Sequence, residues 1–169
     1  LLGLHSFTEN MIDSYTQPLT GLSKFAEKEP ETVQQMFRDL YAEDGGDLSV
    51  RQEKVEDFLR RSHELRDRYY AGSYLYNDDF HSVTSYLALY DPDNNYIYKA
   101  TQALRFADCI EYYDDWGSGD HTKLEIYYRM CDWVVQEIFK NEALLRTDAS
   151  RFEAYPAGAL YPDSKKHIL

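Results

Sequence analysis

Between Leu124 and Ile138 the apolar residues Leu124, Tyr128, Cys131, Val135 and Ile138 recur at alternating steps of four and three. That spacing draws one continuous stripe along an α-helix and scatters over both faces of a strand. The same period returns along the chain. Val33, Met36, Phe37, Leu40 and Tyr41 form a stripe. Val55, Phe58, Leu65 and Tyr69 form another on the longest expected helix, about Ser49 to Tyr70, whose line Leu48 extends. Phe80, Val83, Leu87 and Tyr90 form a third, opened by Asp78-Asp79 as cap. Further helices are expected on Leu4, Phe7, Met11 and Tyr15 with Ser6 as cap, on Leu19, Leu22 and Phe25, over Thr101–Tyr113, from Thr122 with Asp120 as N-cap, and over Glu142–Arg151.

Short connections punctuate these stripes. Asp44-Gly45-Gly46-Asp47 and Asp91-Pro92-Asp93-Asn94-Asn95 are turn signals. Tyr96-Ile97-Tyr98 is the one convincing extended stretch. Amphipathic helices joined by short loops give an all-α bundle of about six to eight helices, with at most one short extended segment near Tyr96–Tyr98. The 169 residues fit a single helical domain, 1–169, in which Gly72 to Asn77 offers a break between lobes 1–72 and 73–155. The opening Leu1-Leu2-Gly3-Leu4 reads as part of a longer protein.

Charge narrows the function classes. The net charge is -12, which repels a phosphate backbone at long range and argues against a general nucleic-acid binder. The acid is concentrated in segments 1–50 and 71–120, so an anion-binding surface would come from residues 51–70 and the C-terminal third. Cys109 and Cys131 lie on apolar helical faces without metal-ligand spacing. They read as inert core thiols in a reducing, cytoplasmic setting. No apolar run approaches the roughly 18 residues of a membrane span.

No phosphate-binding glycine loop, dinucleotide turn or nucleophile elbow is present, so no catalytic residue and no cofactor is expected. The acidic group Asp108, Glu111, Asp114, Asp115, Asp120 and His121 has the residue types of a divalent-metal hydrolase but no diagnostic spacing. Asp114 and Asp115 read as solvated loop residues and Asp120 as a helix N-cap, and that is the expected reading. Arg60, Arg61, Arg66 and Arg68 interleave with Glu56, Asp57, Glu64 and Asp67. They form either helical ion pairs or an arginine face for phosphate or an acidic partner. Tyr96, Tyr98, Lys99 and Arg105 could make an aromatic-basic patch, unless both tyrosines pack inward. Trp116, among acids and glycines, is either a plug at the core edge or a stacking platform.

The run Tyr86-Leu87-Ala88-Leu89-Tyr90-Asp91-Pro92 followed by Tyr96-Ile97-Tyr98-Lys99 resembles segments upstream of the motor in McrB-type restriction proteins, over about residues 70–140. Those are multidomain AAA+ systems that defend bacteria against foreign, often modified, DNA. The resemblance implies a non-catalytic accessory domain of a restriction or antiphage defence protein, recognising DNA or a partner within a larger assembly. The family's catalytic motifs lie in the motor, and none maps onto these residues. The acidic balance favours, as the alternative, an acidic protein-interaction module, with DNA mimicry as its extreme.

Overall fold

A computed structural model describes residues 11, 12 and 15–167. Among them seven α-helices follow in order: α1 Pro18–Lys28, α2 Pro30–Leu40, α3 Leu48–Tyr69, α4 Phe80–Tyr90, α5 Ala100–Cys109, α6 Leu124–Lys140 and α7 Glu142–Ser150. Short 3-10 turns occupy Gly119–His121 and Arg151–Ala154. There is no strand among the described residues, and the fold is all-α. The first expected helix, on Leu4 and Phe7 with Ser6, lies outside the described residues apart from Met11 and Tyr15.

Local chemistry sets most boundaries. Pro18 and Pro30 sit at the first positions of α1 and α2, where a missing N–H costs nothing. Asp47 caps α3 by accepting from the Ser49 amide at 2.8 Å. Asp79 and Ser82 form a reciprocal capping box on α4. Asn141 accepts from the Leu144 amide at the start of α7.

Helix α3 is the hub, packing on α1, α2, α4 and α6. Its buried line is Arg51, Val55, Phe58, Leu59, Ser62 and Leu65. One apolar core extends from Ile12 to Met130, on both sides of Gly72. Phe37, Phe58 and Tyr86 meet at its centre with ring centroids 5.2–5.9 Å apart. Helix α1 approaches the chain at Tyr76 so tightly that a Cβ on Gly21 would stand 2.5 Å from the Tyr76 Cβ.

Two polar groups are structural members of this core. Asp78, which was expected to share the capping of α4, is fully buried instead. It accepts from the hydroxyls of Ser62, Ser82 and Tyr86, joining α3 to α4. Burial pushes its carboxyl above the usual range, against the pull of those three donors. Arg51 is 7% exposed. It grips Asp44 with Nε and Nη2 at 2.8 and 3.0 Å and donates through Nη1 to the Asn94 carbonyl at 2.6 Å.

Several expectations need correction. The helix expected over Thr101–Tyr113 ends at Cys109. Tyr69, Tyr90 and Phe106 are exposed although they continue apolar stripes, because each lies at the end of its helix or on a face with no neighbour. Cys109 is exposed rather than a core thiol. Asp120 does not cap α6: the helix starts at Leu124, and its amide is capped from α3 by Gln52 Oε1 at 2.9 Å. The short extended stretch expected at Tyr96–Tyr98 has no strand partner among the described residues, as an all-α fold requires. Its amides donate to Tyr128 Oη and Thr84 Oγ1, and Tyr127 Oη donates to the Ile97 carbonyl, so side chains of α4 and α6 satisfy it.

Candidate functional site

Helices α5 and α6 frame an open groove of about 760 Å³. Helix α5 buries only Ala103 and Ala107, whose small side chains let its backbone sit close to the core. Its groove side carries Gln102, Arg105, Phe106 and Cys109, one helical face at three- and four-residue steps. The opposite wall is Tyr127, Met130, Cys131, Val134 and Ile138 of α6. Tyr96 and Ile97 form the floor, with Ala88 and Leu89 of α4 beside them.

The groove exists because α6 outlasts its partners. Leu124, Tyr127, Tyr128 and Met130 are buried, whereas Cys131, Val134, Val135 and Ile138 are only half-buried. The apolar period continues past the end of the core that should cover it. Phe106, on the groove side of α5, is 44% exposed.

The C-terminal segment closes one end. Tyr161 Oη donates to Asp93 at 2.7 Å. Lys166 Nζ donates to Asp148 at 2.7 Å, and Arg151 Nε lies 2.7 Å from the other Asp148 oxygen. The His167 ring lies against Tyr96 with centroids 4.3 Å apart, and its Nε2 is 3.2 Å from Tyr96 Oη, which donates to Asp132 at 2.8 Å. Lys166, His167 and Asp148 carry no periodic signal, and nothing in the sequence marks them. Arg51 could have been found, because it stands one helical turn before Val55 on the buried stripe.

The arrangement offers little to covalent chemistry. Burial pushes the Cys131 thiol up to about 12, so it stays protonated and unreactive at neutral pH. Burial raises Tyr96 and Tyr127 as well. Among the described residues no three His, Cys, Asp or Glu side chains converge to hold a metal ion. In the Asp108–His121 group, Asp114 lies 3.6 Å from Arg129 and accepts from Tyr112, and Asp115 accepts from the Gly117 amide.

The nine residues singled out from sequence do not share one surface. Arg60 is held by Asp57 and Glu64, Arg61 by Asp39 and Asp57, Arg66 by Asp67 and Asn77, and Arg68 by Glu29. Each α3 arginine is thus already neutralised by a carboxylate. Tyr96 and Tyr98 pack inward. Trp116 is a plug: it is buried, with Nε1 donating to Tyr98 Oη at 3.3 Å. Only Lys99 and Arg105 are exposed with no carboxylate partner among the described residues, and Arg105 borders the groove. No helix among the described residues is long and apolar enough to cross a membrane. Comparison of the chain with protein-family models, with curated proteins and with solved structures finds no match.

Proposed function

We propose that this domain is a non-catalytic recognition module that receives an apolar segment of a partner protein in the α5–α6 groove. The observation that carries this reading is the uncovered second half of the α6 stripe, Cys131, Val134 and Ile138, facing α5 across about 760 Å³. It is the protein-binding form of the accessory role that the McrB-type resemblance implies, and it agrees with the acidic balance of the chain.

Binding of amphipathic helical peptides, followed by fluorescence anisotropy, tests it. Peptides with leucines at helical spacing are expected to bind, and Val134→Asp combined with Ile138→Asp is expected to abolish binding without changing the helical circular dichroism. Failure of every such peptide to bind would sink the reading.

Exposed Lys99 and Arg105 favour a second reading, in which the domain contacts DNA within a restriction or antiphage protein. That reading expects duplex binding that weakens steeply with salt and is lost on replacing Lys99 and Arg105 together.

A further inference from the structure

The lip of the groove carries a cation, Arg105, unpaired among the described residues and opposite in sign to the net charge of the chain. Acidic side chains outnumber basic ones 30 to 18, yet no Asp or Glu among the described residues lines the groove, whereas Arg105 does, with Lys166, held by Asp148, and His167 at the far end. Arg105 is exposed and has no carboxylate partner among the described residues. His167 Nδ1 is buried with no hydrogen-bond partner among them. The nearby Asp132 is engaged by Tyr96 Oη. An apolar trough with a basic lip is therefore set into an acidic protein. The net charge acts on a partner as a whole at long range, whereas the lip acts on the segment that enters the groove and favours a carboxylate beside Arg105.

The walls also restrict the partner's conformation. Both are helices, and the uncovered α6 residues recur at three- and four-residue steps, the ridges that a third helix packs against. An extended peptide would need a strand edge for its amides and carbonyls, and none exists among the described residues.

Building on the docking reading above, we propose that the occupant of the groove is an amphipathic helix of a partner protein with Asp or Glu along one edge. Its apolar face packs on Met130, Val134 and Ile138, and its carboxylates reach Arg105 and the His167 end.

The test uses two peptides of about 16 residues, long enough to run the length of α6, with identical leucines and either glutamate or lysine along the flank. The glutamate peptide is expected to bind about threefold more tightly, from ion pairing at Arg105, with the gap shrinking as salt rises. Arg105→Glu should reverse the order without moving the thermal midpoint. Equal binding of both peptides, tighter binding of the lysine peptide, or indifference to Arg105→Glu would overturn the acidic edge and leave the docking reading standing. Failure of both peptides to bind would overturn the docking reading itself. Laurate binding to the groove while neither peptide binds would assign it to a fatty carboxylate instead.

Discussion

Replacing Arg51 with methionine keeps the apolar stem that crosses the core and removes the guanidinium. The variant loses the two-point grip on Asp44, the bond to the Asn94 carbonyl, and the approach of the cation to the Tyr128 ring at 5.8 Å. Hydrogen bonds from Arg51 first, with the Gly46 amide and the nearby positive charges adding to them, hold the Asp44 carboxyl at about 2 instead of 3.8. At 1.36 kcal/mol per pH unit that gap corresponds to about 2.5 kcal/mol. Asp44 keeps some contact with water, Lys54 remains 4.0 Å away and the Gly46 amide still donates. The part lost with Arg51 is therefore about 1–2 kcal/mol. The unpaired Asn94 carbonyl adds about 1 kcal/mol.

The expected loss at pH 7 is about 2–3 kcal/mol, read from urea unfolding followed by circular dichroism. Its pH dependence has a definite sign. A carboxyl depressed in the folded state stabilises above its unfolded value of 3.8, and that stability disappears as pH falls through about 2. About half of the ion-pair contribution is gone at pH 3, so wild type and variant should converge by about 0.5–1 kcal/mol between pH 7 and pH 3. A loss below 1 kcal/mol at pH 7, or a gap that stays constant down to pH 3, would refute the argument.

Four other outcomes follow from particular contacts. Gly21→Ala should cost about 1–3 kcal/mol, because its Cβ meets the Tyr76 Cβ and Cα, which cannot swing aside as the end of a flexible side chain would; a thermal midpoint equal to wild type would count against that close approach. Asp78→Ala should cost about 3 kcal/mol by leaving three core hydroxyls without their acceptor. Because burial raises the Asp78 carboxyl, its contribution is full below 3.8 and falls as pH rises through its folded value, so the cost measured by denaturant unfolding should be larger in acid than at neutrality. Gln52→Ala should release both the Leu124 amide and the Thr122 carbonyl, cost about 1–2 kcal/mol, and speed hydrogen exchange at Leu124 more than at mid-helix α6 amides. A thiol reagent should modify exposed Cys109 rapidly and Cys131 slowly at neutral pH; equal rates would show that α6 opens readily around Cys131.

The helices were legible where apolar spacing was matched by local chemistry. Val33 to Leu40 and Val55 to Leu65 were read as stripes and are buried as stripes, and Asp79 caps the helix that its position announces. Spacing tells which residues share a face, not whether another element covers it. That is why Cys131, Val135 and Ile138 read as core and stand half-open. Interactions between residues distant in sequence were illegible for a related reason. Gln52 capping a helix some 70 positions later has no local signature, nor does the satisfaction of Tyr96–Tyr98 by hydroxyls instead of a neighbouring strand. The groove shares this origin: α5 and α6 each announce themselves, but their separation is set by Ala103 and Ala107 together with the tyrosines beneath.

Tyr96 connects two events that are otherwise hard to observe together. Its ring floors the groove, and its amide donates to the hydroxyl of Tyr128, one turn before the uncovered half of α6. Any ligand that shifts α6 must lengthen or shorten that single bond. The nuclear magnetic resonance signal of the Tyr96 amide is thus a built-in reporter of groove occupancy, and Tyr128→Phe would silence it by removing one oxygen while leaving the ring in place.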